Sequence, residues 1–243
     1  AVMRDILLDA PSRDDPEADQ ILASAMRNFG RVVLPVGQAA TGAVLSGVVL
    51  PQPIFAKAAA ALGHDQVDFD PDGIARSVYL WEGLGRPTYP QMALALLRAI
   101  DPAERARYPA PPSAPDADAR SWQRADWMRI RFTGPPGSYI HYSYRAVLNG
   151  EVPPEALRGK ILLVGPTAAG LAVAVPTPTS GTSRFMPGIE MHANVLDALR
   201  YNGSIALLPP WVGGLVGGLL VGGLLLVLLH ADARIGLIAS FGF

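Results

Sequence analysis

Between Trp211 and Leu229 the chain runs for 19 residues without a charged side chain. At roughly 1.5 Å per residue, a helix of that length spans about 28 Å, close to the hydrocarbon thickness of a bilayer. A buried helix of a water-soluble core rarely tolerates so many glycines, so the run is expected to cross a membrane. Trp211 lies where interfacial aromatics collect, and Pro209-Pro210 fixes a sharp entry. Gly213 and Gly217, with Gly214, Gly218 and Gly222, form overlapping small-xxx-small ladders. Such a face admits a second helix at close range, from the same chain or from a second copy. Arg200 and Arg234 flank the two ends, so the positive-inside count is nearly tied. "HADAR" reads as a turn, and residues 235–243 as the start of a returning span.

About 200 residues precede this run, enough for one sizeable core or two small ones. A formal net charge of -1 gives no electrostatic case for nucleic acid. The absence of cysteine excludes disulfides and thiolate metal sites. The chain opens on Ala1 and ends in the apolar "RIGLIASFGF", as expected of a segment from a longer protein.

Upstream, strands and helices alternate. Val2 to Leu8 reads as a strand. Asp15 caps a helix with Pro16 in its first turn, and Gly30 stops it. "RVVLPV" follows as a short buried strand, giving the strand–helix–strand unit of α/β domains. "PIFAKAAAALG" reads as a second amphipathic helix ending at Gly63. "DQVDFDPDGIARSVYLW" reads as two strands around Pro71-Asp72-Gly73. Pro90 opens a third helix, Asp101 to Ser121 is a proline-rich loop, and "WMRIRFTG" is a strand. Ser143 caps a short helix ending at Gly150, and "GKILLVG" has the continuous apolar character of a central strand. A last helix, Gly188 to Tyr201, turns Ile189, Val195, Leu196 and Leu199 to a core. The fold class is α/β, a mixed and largely parallel sheet covered by helices and followed by transmembrane helices.

Chemistry is harder to read. Asp68, Asp70, Asp72 and Gly73 match the opening of a calcium loop, but its twelfth position is Tyr79 where a bidentate glutamate is needed. A hairpin turn built from Asp70, Asp72, Gly73 and Arg76 explains the same residues. "GPTAAG" follows a strand but lacks the lysine and hydroxyl of a phosphate loop. Thr167 stays a candidate ligand contact, because loops after such strands often hold ligands. In "FMPGIEMHANVLDAL", beginning beside Pro187 and Gly188, Glu190 and Asn194 share a helix face. His192 points about 160° away from them. The three cannot meet on one ion. Glu190 suits the positive helix start, Asn194 can hydrogen-bond a neighbouring loop, and His192 can titrate near neutral pH as a pH-sensitive contact. No G-x-S-x-G or H-E-x-x-H occurs, and the 4 histidines are scattered. Neither a cofactor nor a metal is implied.

Several stretches together resemble one family: "DILLDAPSRDDPEADQILASAM", "DFDPDGIARSV", "IHYSYRAVLNGEVPPEALRGKILLVGPTAAGL", "PTP" at 176–178 and "MPGIEMHANVLDAL". Their order, and the apolar run after them, resemble the type-two CHASE domain, a sensory extracellular module associated with cyclases and histidine kinases. The resemblance covers most of Arg4 to Gly203. The family's opening strand and helix are missing, as for a chain that begins within the domain. Ala172-Val173 stand where the family often has a glycine and an acidic residue, so a ligand contact there would carry a different specificity. The resemblance implies a sensor domain over residues 1–206, a transmembrane helix over 207–230 and a second beginning at 235. It implies a receptor, multi-pass in the inner membrane, with its soluble part periplasmic or extracellular. A cytoplasmic adenylate, guanylate or diguanylate cyclase or a kinase would lie outside this chain. Expected partners are the lipid bilayer, an unidentified small-molecule or envelope ligand, and a second copy through the glycine-rich helix. A membrane-anchored enzyme using Glu190 and His192, or an envelope interaction module, are the alternatives.

Overall fold

The computed structural model describes residues 1–230 apart from 14, 42–43, 113–119, 169–172, 182–183, 202 and 204. The returning span expected at 235–243 lies outside the described residues. The chain divides into two compact units, Ala1–Ile205 and Ala206–Phe243.

The first unit opens with β1 (Val2–Arg4), shorter than the strand expected to reach Leu8. Helix α1 (Pro16–Phe29) follows its local signals. The Asp15 side chain accepts from the amides of Glu17 and Ala18, and Gly30 closes the helix at φ 68°. Next come β2 (Val32–Thr41) and β3 (Val44–Val49). The expected short strand "RVVLPV" is only the first half of β2, because Gly37–Thr41 continue into an antiparallel hairpin with β3.

The helix expected over "PIFAKAAAALG" forms only at its start. Residues of α2 (Pro53–Ala56) are helical, but β4 (Ala61–His64) is a strand. The alanine run favours a helix locally, but tertiary pairing overrides propensity. Val33 to Val36 of β2 pair in parallel with Ala61 to His64. Gly63 makes this fit, since a Cβ there would lie 2.8 Å from the Pro90 carbonyl oxygen and 2.9 Å from the Met92 Cα.

A second, antiparallel sheet contains β5 (Asp68–Phe69), β6 (Ala75–Leu84) and β7 (Tyr89–Pro90). The expected hairpin around Pro71-Asp72-Gly73 is present. Pro90 belongs to β7, and α3 (Met92–Ile100) starts later, capped by Gln91. The expected loop after Ile100 contains α4 (Pro102–Arg107), capped by Asp101 in the same Asp-Pro pattern as α1. Strand β8 (Trp122–Arg129) pairs with β6, so it starts and ends earlier than "WMRIRFTG" suggests. Helix α5 (Tyr144–Leu148) starts after Ser143, whose side chain makes no capping bond. Then come α6 (Pro154–Leu157), β9 (Leu162–Val164), β10 (Ala174–Val175), β11 (Met186–Pro187) and α7 (Gly188–Arg200).

In the main sheet β9 pairs with β1, β1 with β2, and β2 with β4, all in parallel. Strand β9, expected to be central, stands at the edge of this sheet among the described residues. Its apolar run is explained by packing, since Leu163 lies against the core that contains α3 and α7. Strand alternation divides the sheet's two faces. Met3 and Val33 join α3 and α7, whereas Val32 and Leu34 join α1 and Phe55 of α2.

The second unit contains α8 (Pro210–His230). Its segment Trp211–Leu229, with mean hydropathy 2.5, is the one helix among the described residues long and apolar enough to cross a membrane. A Cβ at Gly213, Gly214, Gly217, Gly218 or Gly222 would meet nothing within 4 Å.

Candidate ligand-sensing site

The carboxyl ends of β1 and β4 deliver Asp5, His64 and Asp65 to one region, where open α/β sheets usually hold ligands. Asp5 N–H donates to the Val164 carbonyl at 2.7 Å and ties the end of β1 to that of β9. Next to Val164, a Cβ on Gly165 would stand 2.9 Å from the Ile189 Cβ, so α7 packs almost on the backbone there.

Helix α7 brings its polar residues into the interior: Glu190, His192 and Asn194 are 3%, 2% and 0% exposed. As expected from the helical period, they do not converge. Glu190 Oε1 accepts the amides of Gly137 at 2.8 Å and Ser138 at 3.0 Å. His141 Nε2 stands 4.0 Å from its other oxygen. Asn194 Oδ1 accepts from Thr133 N–H at 2.9 Å, and its amide donates to the Glu190 carbonyl at 2.9 Å. Tyr139 OH donates to Asp197 at 2.8 Å. One side of α7 therefore holds the 133–139 segment.

His192 faces a different set. Its Nδ1 lies 2.8 Å from Gln91 Nε2, and its Nε2 lies 3.9 Å from Asp5 Oδ2. Gln91 Oε1 accepts Ala93 N–H at 2.6 Å, which orients the amide. That N–H can only donate, so it must meet the oxygen, and Nε2 is left toward the ring. Neutral His192 then accepts at Nδ1 and carries its hydrogen on Nε2, toward Asp5.

Burial governs the charges here. It lowers His192 to about 4, against an opposing effect of Asp65. A titration near neutral pH, expected from the sequence, is thus displaced into the acid range. Burial, reinforced by His192, lowers His64 to about 3. No hydrogen bond of acceptable geometry reaches either ring nitrogen of His64, although the Tyr79 backbone favours its protonated form. Burial raises Asp5. It also raises Asp65, with the Asp5 charge adding to the effect. Glu82, 2% exposed, is raised by burial and held by Trp122 Nε1 at 2.6 Å. A cluster with so many groups displaced from their ordinary titration is a place where binding a proton or a polar ligand changes packing.

The remaining candidates lie elsewhere. Arg76 bonds Asp70 at 2.7 Å and both oxygens of Asp72 at 2.8 Å. The guanidinium takes the carboxylates a calcium ion would need, and hydrogen bonding to it lowers Asp72 to about 2. No cluster of three or more metal-ligating side chains occurs among the described residues. Thr167 is exposed beyond β9 and joins neither network. Pro187, in β11, pairs with Ala174, and Gly188 begins α7. Sequence reasoning missed Asp5, His64, Asp65, Glu82 and Gln91. Apart from the adjacent His64 and Asp65 they are separated in the chain, and they come from different elements that only the tertiary fold brings together.

The geometry defines a class: an α/β domain with a buried polar centre under one helix, followed in the sequence by a segment able to cross a membrane. The family model of the CHASE2 domain matches residues 1–229, and the chain belongs to that family. CHASE2 domains are extracellular sensory modules rather than catalytic ones, so the chain has a sensory input role. No match is found to a curated protein or to a solved structure.

Proposed function

We propose that this chain is the extracytoplasmic input region of a multi-pass inner-membrane receptor whose output is a cytoplasmic cyclase, diguanylate cyclase or kinase. The observation that carries this reading is the double engagement of α7. Glu190 and Asn194 hold the 133–139 segment, while His192 enters the polar centre at the strand ends. A small-molecule or envelope ligand that displaces either group shifts the packing of α7. Pro209-Pro210, being stiff, transmits that shift to α8, which repacks along its glycine face against a second copy. Such a device needs two arrangements separated by only a few kcal/mol.

The enzyme reading is less well supported. Glu190 has its oxygens occupied by loop amides, and His192 is turned toward Gln91, so the pair does not meet on a substrate.

The test is topological and functional. A reporter active only outside the cytoplasm, fused after Leu208, is expected to be active, and a cytosolic reporter at the same place silent. In the full-length receptor, Gly217→Leu with Gly218→Leu is expected to change output. Cytosolic placement of residues 1–208 overturns the proposal, and unchanged output together with unchanged helix association removes transmission along the glycine face.

A further inference from the structure

We infer that Gln91 and His192 form a proton-operated switch in which protonation of His192 inverts the Gln91 amide and uncaps α3. The biological use of this switch rests on the proposed input role; its geometry does not.

Gln91 serves two neighbours at once. Its Oε1 accepts Ala93 N–H at 2.6 Å and caps α3. Its Nε2 lies 2.8 Å from His192 Nδ1. Gln91 is 0% exposed and His192 2%, so water does not readily replace either bond. The backbone of Gln91 is fixed as well, donating to the Leu80 carbonyl at 2.8 Å and bridging to His64.

A proton from solvent can add only to the Nδ1 lone pair, because Nε2 already carries hydrogen. The imidazolium then points an N–H at an amide NH2, and two donors face each other. Rotating the Gln91 amide restores the bond to the ring, since Oε1 then accepts from Nδ1–H. The same rotation turns Nε2 toward Ala93 N–H, and α3 loses its cap. No single orientation serves both neighbours. The α3 start and the α7 interior are therefore linked through one side chain.

The groups facing His192 decide how strongly this is opposed. From β1 comes Asp5, 3.9 Å from Nε2. From the end of β4 come Asp65, whose charge favours the imidazolium, and His64, which disfavours a second positive charge. Arg124 of β8 adds to the pressure on His64, and Glu82 of β6, raised chiefly by burial, is raised further by the Asp65 charge. On α7 itself, Glu190 is engaged with Gly137 and Ser138. Burial keeps the ring neutral at neutral pH, and the Asp65 charge is what favours its protonated form.

The experiment is amide hydrogen exchange on the whole chain in lipid nanodiscs, corrected for intrinsic rates, from about pH 7.5 down to about pH 3.5, below the His192 value of about 4. Protection at Ala93 is expected to fall by about tenfold or more in the wild type. His192→Gln keeps an acceptor for Gln91 but cannot titrate, so its Ala93 protection is expected to stay level. Gln91→Glu is expected to stay level too, because a carboxylate accepts from Ala93 and from the imidazolium together. A level wild-type profile, or an equal loss in His192→Gln, overturns the switch. If His192→Gln does not fold, ring-nitrogen NMR of the wild type decides, and a proton on Nδ1 at neutral pH overturns it. These readouts need no output domain. A failed switch thus leaves the input role standing, and a receptor indifferent to acid despite the exchange response removes only the sensory use.

Discussion

Glu190 receives the backbone hydrogen of Gly137 on both carboxylate oxygens, at 2.8 and 3.0 Å, from a position 3% exposed. With Ser138 on the same oxygen, one helix side chain satisfies two loop amides. Glu190→Ala leaves both amides without that partner, and loss of a buried charge-assisted acceptor is worth ~2–4 kcal/mol. Glu190→Gln keeps one acceptor oxygen and is expected to lose less. Urea unfolding of the full chain in detergent checks the order, and exchange at Gly137 and Ser138 locates it.

Asn194 uses both halves of its amide, accepting from Thr133 and donating to the Glu190 carbonyl. Asn194→Asp removes the donor and places a second carboxylate one turn from Glu190 in a fully buried site. A loss of about 3 kcal/mol is expected at neutral pH. Burial raises the new carboxyl's folded-state pKa, so stability is expected to recover as pH falls through that value and the acid regains a hydrogen to donate. Unfolding midpoints of Asn194→Asp at neutral and mildly acid pH check the sign.

His64 gives the cleanest pH dependence. Its folded-state value is lowered to about 3 from 6.5, so the unfolded chain binds more protons between these limits. Its contribution is intact above about pH 6.5 and is lost progressively as pH falls toward 3. No well-formed hydrogen bond is sacrificed by removing the ring, so His64→Leu is expected to be close to neutral at pH ~7.5. It is expected to be more stable than the wild type at pH ~5. Measuring the difference between the two proteins cancels the opposite trend from Asp5 and Asp65.

How much of this was readable depends on where the information lies. Asp15, Pro16 and Gly30 act on their own neighbours, and α1 appears where they place it. The same Asp-Pro signal stood at Asp101-Pro102, but the proline-rich residues beyond concealed α4. The alanines before Gly63 misled because β4 exists through β2 and α3, not through its own propensity. Glu190 and Asn194 could be placed on one face from spacing alone. The partners of His192 could not, since Asp5, Asp65 and Gln91 meet it only through the parallel strand order.

Gly63 permits a decisive comparison with Gly73. A methyl group at Gly63 meets the Pro90 oxygen at 2.8 Å, the Met92 Cα at 2.9 Å and the Ala95 Cβ at 3.0 Å. The first two belong to the backbone at the α3 start and cannot rotate away. Gly63→Ala is expected to destabilise by about 3 kcal/mol. At Gly73, with φ +77°, a methyl group meets open space, and the expected loss is only the left-handed strain, about 1 kcal/mol. Equal losses would mean that β4 does not approach α3 so closely.

The glycine ladder of α8 can be tested through association alone. Gly213, Gly214, Gly217, Gly218 and Gly222 leave room for another helix, since a Cβ on any of them meets nothing within 4 Å. Leucine at Gly217 and Gly218 is compatible with the helix and with lipid, so the change acts chiefly on what approaches that face. Self-association in detergent or bilayers is expected to weaken by about 1–2 kcal/mol, and alanine at the same places to weaken it less. Sedimentation or proximity transfer between labelled copies supplies the measurement. Undiminished association of the leucine variant would mean that copies do not meet along this face.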